Sequence, residues 1–142
     1  MLTSPWLWRL AFLLGCSLCS GSGKSHLETM IDQQRLIRAI AAVEGQAWDS
    51  PGGGLQYTKA TWYDYTKMPY QKAKDKTTAT LVALRILEDA MSRLTKAGAE
   101  PTVYLLALRW RYGYAGMLQR QHTTDNDYAV RVNNLYLDPS FA

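Results

Sequence analysis

Glu44 is the residue in this sequence most suited to chemistry. Leu36, Ile37, Ile40, Ala41 and Val43 precede it at helical spacing, and Gly45 stands where a C-cap glycine would, so Glu44 falls in the last turn of a helix. A helix C-terminus bears partial negative charge, and apolar neighbours hold little water. Both effects disfavour a carboxylate and are expected to raise this carboxyl from its reference pKa of about 4.3. A glutamic acid that keeps its proton near neutral pH is a general acid for a leaving oxygen. The competing reading is a solvated helix-end residue, which the helix taken alone favours. Next comes Pro51-Gly52-Gly53-Gly54, a run that is not helical and lets backbone approach a ligand, followed by Leu55, Gln56, Tyr57 and the N-cap residue Thr58. Aromatic residues crowd the same region (Trp48, Tyr57, Trp62, Tyr63, Tyr65, Tyr70) and a later one (Trp110, Tyr112, Tyr114). Rings with a polar tip suit sugars, whose axial hydrogens pack on the face while hydroxyls take hydrogen bonds. Core packing is the competing reading for each, and it is the one given to Trp62 and Tyr63. Trp48 and Tyr57, on the loop and its exit, are the better sugar-contact candidates.

The elements that must hold these groups are helical. One helix is expected from Leu27, or from near Ile31, to Glu44, and a shorter one from Thr58 to about Lys67; Met68 to Lys76, with Pro69, reads as a connection. Thr77 to Ala97 is the clearest helix, with Leu81, Leu84, Leu87, Met91 and Leu94 on one face and Gly98 as its stop. Pro101 opens another through Leu105, Leu106 and Leu108 to about Arg111, and Gly113 and Gly116 break it. Thr124 or Asp125 caps a last helix with Tyr128, Val132, Leu135 and Tyr136, ending before Pro139. No strand pattern, repeat or low-complexity tract stands out. The expected fold is a compact all-α domain with little or no sheet, and 142 residues give room for one such core.

The first 22 residues read as a secretory signal peptide. A short stretch with one positive charge, Arg9, leads into the apolar run Leu10 to Leu18 and then small residues, and the run is too short to span a bilayer as a helix of about 20 residues. Leu13-Leu14-Gly15-Cys16 resembles a bacterial lipobox, which would make Cys16 a lipid anchor and the only tie to a membrane. Arg9 lies closer to that cysteine than is usual. Both cysteines, Cys16 and Cys19, fall in this leader, so cleavage after Cys19 leaves no disulfide framework and no thiol nucleophile. Gly21-Ser22-Gly23-Lys24-Ser25 is not a phosphate loop, because position 18 is leucine where that motif needs its first glycine. His26 and His122 are isolated, so neither a metal nor any other cofactor is expected. The net charge of +4 suits an anionic cell wall by weak long-range attraction, while the scattering of the basic residues among acids argues against nucleic acid.

The organisation from Val43-Glu44 through the glycine loop to Gly54-Leu55-Gln56 and Thr58-Lys59-Ala60-Thr61-Trp62 resembles the catalytic core of the soluble lytic transglycosylases and goose-type lysozymes. The stretch from Ala107 to Gly116 resembles that family's Ala-x-x-Tyr-Asn-x-Gly segment, and Asp127 to Val132 its Tyr-Val-x-x-Val helix. The three short blocks keep the family's order between about Ile37 and Tyr136. The resemblance implies a lysozyme-like helical domain, here 27–138, that acts as an exported monomer on the β-1,4 bond between N-acetylmuramic acid and N-acetylglucosamine in peptidoglycan strands. It implies that Glu44 is the sole catalytic acid and base, that Gln56 reaches toward substrate, and that Tyr128 approaches the glutamate. Trp110 and Arg111 stand where the family has its tyrosine and asparagine. Arginine only donates hydrogen bonds where asparagine also accepts, so this departure bears on substrate or on activity itself. Gly45 replaces the serine that often follows the glutamate, and the loop is short. Hydrolysis usually needs a second carboxylate about 5 to 9.5 Å away, and Asp49 and Asp64 are the nearest in sequence. A loop aspartate is more often a turn residue, which tilts the expectation toward the lytic reaction. The alternative is a non-catalytic peptidoglycan-binding or scaffold domain on the same fold.

Overall fold

Side-chain caps set where each helix of the computed structural model begins; it describes residues 30–141. Asp32 accepts the Arg35 amide at 2.9 Å and starts α1, Gln33–Glu44. Leu36, Ile37, Ala39 and Ile40 form its buried face, and Gly45 closes it with its amide on the Ala41 carbonyl. Thr58 caps α2, Lys59–Tyr65, whose one buried residue is Trp62. The indole of Trp62 donates to the Met68 carbonyl at 2.7 Å and meets Tyr57 edge-on, so the expected core role of Trp62 holds, whereas Tyr63 is 54% exposed. The connection after Pro69 contains a 3-10 turn, Tyr70–Lys74.

Asp75 caps α3, Lys76–Lys96. Its buried face is Ala79, Val82, Ala83, Ile86, Leu87, Ala90 and Leu94, rotated from the leucine stripe expected from sequence: Leu81 is 55% exposed. The alanines explain the difference, because small residues let neighbouring elements approach closely, and a count of large apolar residues passes them over. Thr102 caps α4, Val103–Arg120, so Pro101 lies just outside the helix and not in its first turn. Gly113, at φ 72°, interrupts α4 as expected, but Gly116 does not, and the helix resumes to Arg120. Asn126, one or two residues after the caps expected, accepts the Ala129 amide and starts α5, Asp127–Leu137.

The described residues form an all-α domain without strands. α1 packs against α3 and α5, and α4 against α3 and α5, around one core that includes Leu36, Ile40, Leu87, Leu106 and Val132. The ends of α1 and α5 are tied together: the Arg35 Nε donates to the Tyr136 carbonyl at 2.6 Å, its other arm reaches the Asp138 carbonyl, and the Asp32 amide donates to the Tyr136 hydroxyl at 2.9 Å. The expected leader, Cys16 included, and the stretch 27–29 of the expected first helix lie outside the described residues. No helix among the described residues is long and apolar enough to cross a membrane.

Asp89 links three elements through side chains. It accepts the Tyr65 hydroxyl of α2 at 2.6 Å and pairs with Arg93 at 3.1 Å, and Arg109 of α4 donates to the same Tyr65 hydroxyl at 3.1 Å. The Tyr65 hydroxyl, and then Arg93, hold the Asp89 carboxyl below its ordinary value. A carboxyl lowered by folding stabilises the folded state above its unfolded pKa of about 3.9, and that contribution is lost as pH falls through the folded value. The urea midpoint is therefore expected to drop between pH 6 and pH 3, and to drop less in Asp89→Asn. Equal acid sensitivity in the two proteins would remove Asp89 from the account.

Candidate active site

Glu44 reaches its position because α1 ends there. Gly45 turns the chain out of the helix, and the loop Gln46 to Tyr57 comes back past it. All three glycines of that loop are needed for close approach, and a Cβ on Gly52 would lie 2.5 Å from the Tyr57 carbonyl oxygen. A Cβ on Gly53 would lie 1.9 Å from the Ala73 carbonyl oxygen of the 3-10 turn, at a backbone φ of +67°; one on Gly54 would lie 2.7 Å from the Trp48 ring. The loop is thus pressed between the 3-10 turn and the Trp48 indole. Gln56 leaves it with φ 55°, the one positive φ outside glycine among the described residues.

A cavity of about 130 Å³ opens where α1, the loop exit, α2 and α4 meet. Glu44, Leu55, Gln56, Thr58, Thr61, Arg109, Trp110 and Arg111 are among its lining residues, with Tyr57 and Ile86 completing the wall. The Glu44 side chain is 9% exposed, and it is the only acidic group among the described residues that line this cavity. The Tyr128 hydroxyl, from the first turn of α5, donates to its Oε1 at 2.8 Å. The Arg111 guanidinium lies 3.9 Å from its Oε2 and 5.6 Å from the Tyr128 ring centre. Burial first, then the charge and hydrogen bond of Glu44, push the Tyr128 phenol well above its ordinary value, so it remains a proton donor to the carboxylate.

The cavity therefore brings together Glu44, Gln56, Tyr57, Trp110 and Arg111, with Tyr128 reaching Glu44 from behind. Trp110 presents its ring as a wall, donates from its indole to the Leu55 carbonyl at 3.3 Å and meets Tyr57 edge-on at 5.5 Å. Tyr57 is among the lining residues, but its hydroxyl is buried and donates to the Ala79 carbonyl at 2.6 Å. The Gln56 carboxamide nitrogen turns into its own loop, with the Gly53 carbonyl at 2.8 Å and the Ser50 hydroxyl at 3.2 Å. Trp48 is not brought to this cavity. It lines a separate one of about 340 Å³ with Ile37, Arg38, Ala41 and Lys76, whose ammonium is 5.9 Å from its ring. Asp49 is exposed on the loop, and Asp64 lines a different depression beside Asp89. Arg109, Thr58 and Thr61 were not singled out as site residues from sequence. The two threonines carried a signal in the helix-start pattern, since Thr58 caps α2 by accepting from the Thr61 amide at 3.1 Å. Among the described residues no cluster of His, Cys, Asp and Glu has the makings of a metal site.

The arrangement places one carboxyl on the cavity wall, fixes it by a phenol and faces it with a cation. If Tyr128 orients Glu44, Tyr128→Phe should lower turnover of a Glu44-dependent reaction by about 10- to 100-fold, the value of one hydrogen bond to a charged group. KM should change little, because the phenol is not on the cavity wall. A rise in KM with turnover intact would show that Tyr128 serves ligand binding. No protein-family model, no curated protein and no solved structure matches this chain.

Proposed function

We propose that this domain cleaves peptidoglycan at the β-1,4 bond between N-acetylmuramic acid and N-acetylglucosamine, as a lytic transglycosylase. The observation that carries the reading is the single, nearly buried carboxyl of Glu44 on a small cavity wall, held by the Tyr128 hydroxyl at 2.8 Å. In the reaction Glu44 gives its proton to the glycosidic oxygen as the bond to C1 breaks, releasing the N-acetylglucosamine 4-hydroxyl. The resulting carboxylate, next to Arg111, then takes the proton of the 6-hydroxyl while O6 bonds to C1. The product is a 1,6-anhydro sugar, and Glu44 is again an acid. No water is consumed, and one carboxyl serves both steps. The lack of a second acidic group among the described cavity-lining residues supports this course over hydrolysis, which usually places one about 5 to 9.5 Å away. The resemblance of the three sequence blocks to the lytic transglycosylases and goose-type lysozymes supports a lysozyme-like assignment of the fold. The leader-like 1–22 segment supports export to the periplasm or the exterior, where the domain works as a monomer.

One observation favours a second reading. Arg111 takes the place of the family's asparagine and faces Glu44 at 3.9 Å, which suits a domain that binds glycan strands without cleaving them. Mass spectrometry of purified peptidoglycan digested by the protein, beside Glu44→Gln, separates the readings. Anhydro-muropeptides from the unaltered protein alone support the transglycosylase. Reducing-end products make it a lysozyme, and strand binding without fragments makes it a binding domain.

A further inference from the structure

The Glu44 cavity is cationic despite its glutamate. Two guanidiniums, Arg109 and Arg111, line a space of only about 130 Å³ against one carboxyl, so its charged side chains sum to an excess of at least one positive charge. They come from either side of Trp110 on α4 and flank the indole wall. Neither is fully engaged by the described residues. Arg111 is 54% exposed and stands 3.9 Å from Glu44, outside hydrogen-bond reach, so attraction holds the pair while the N–H donors stay open. Arg109 gives one hydrogen bond, from Nη2 to the Tyr65 hydroxyl at 3.1 Å. That bond fixes the arm, since Tyr65 is itself anchored on Asp89 at 2.6 Å. Arg109 also lines a second depression with Arg85, Arg93, Asp64 and Asp89.

Guanidinium is a fork of donors without an acceptor, and its best match among biological ligand groups is a carboxylate or a phosphate. We infer that Arg109 and Arg111 form a carboxylate subsite, so that the sugar bound beside Glu44 is one carrying a free carboxylate. Such a ligand cancels the excess positive charge and takes the donors that Arg111 does not give to Glu44. This deepens the proposed function by naming the substrate class: strands whose muramic acid lactyl group is not blocked by a peptide, or sugars with a uronic carboxylate, and not neutral N-acetyl sugars.

The test is a binding titration of the full chain by nuclear magnetic resonance, with N-acetylmuramic acid, glucuronic acid and N-acetylglucosamine as probes. Both acidic sugars are expected to bind at least about tenfold tighter than the neutral one, the ratio one charge-assisted hydrogen bond supplies. The tighter of the two tells whether the lactyl or the ring carboxylate is read. The preference should disappear in Arg109→Gln/Arg111→Gln and survive in part in Arg111→Lys, with thermal melts confirming that each variant is folded. Equal affinity for acidic and neutral sugars, no binding of any, or a preference that persists in the double glutamine variant overturns the inference. Because the readout is binding, it is independent of whether strands are cut. Acid-selective binding without cleavage defeats the transglycosylase reading alone, and cleavage without acid selectivity defeats the subsite alone.

Discussion

Glu44→Gln is expected to lose at least about a thousandfold in the rate of anhydro-muropeptide release, near the upper part of the range for removing a general acid. The amide keeps the length and branching of the side chain, and its oxygen still accepts the Tyr128 hydroxyl that now lies 2.8 Å from Oε1. What it lacks is the proton. Two steps of the proposed reaction need that proton, one giving it and one taking it back, and no other acidic group among the described cavity-lining residues stands ready to substitute. Folding should be spared, with a melting temperature close to that of the unaltered protein, because the amide fills the same space and Arg111, 54% exposed, stays solvated without the carboxyl. The measurement is product mass spectrometry over time at equal protein concentration. A variant that keeps more than about a tenth of the rate would take proton transfer away from Glu44.

Gly53→Ala is expected to have the largest effect on stability, about 2 to 5 kcal/mol, from two sources that act together. A left-handed backbone disfavours any Cβ, and here the added carbon would also sit 1.9 Å from the Ala73 oxygen and 2.8 Å from the Ala73 carbonyl carbon. Both are backbone atoms of the 3-10 turn, so no rotamer change relieves the clash. Gly98 supplies the control. It has φ +76° and nothing within 4 Å of a built Cβ, so Gly98→Ala should show the backbone effect alone, about 1 to 2 kcal/mol. Urea denaturation of the two variants isolates the difference. Equal losses would mean that the loop does not press on the 3-10 turn in solution. Gly53→Ala should also weaken ligand binding, because Gly53 lies two and three residues before Leu55 and Gln56 of the cavity wall.

Local rules carried the sequence reading as far as local causes reach. The end of α1 was legible because apolar spacing and Gly45 act within a few residues of Glu44. The cap of α5 was misplaced because Thr124, Asp125 and Asn126 are all good caps in a row, and only the docked helix selects Asn126. Gly116 looked like a breaker, yet in the helix it leaves room beside Tyr112, where a Cβ would come within 2.6 Å of its Cβ. Arg109 gave no sign because residues two apart do not share a helix face, yet both flanks of Trp110 line the cavity. Trp48 was placed by its distance along the loop, but the loop turns back and puts it on the other side of Gly54. The meeting of Glu44 with Tyr128 has no local signature at all. It followed from the resemblance of the last block, and in the structure it is a contact across 84 positions.

That separation gives the molecule an order in time. During synthesis α1 is complete long before Tyr128 exists, and the loop that must close between them is most of the domain, so the closure entropy falls late in folding. Until α5 docks, Glu44 lacks its phenol and Arg35 lacks the Tyr136 carbonyl. The Glu44–Tyr128 pair can therefore form only once α5 has been made and has docked.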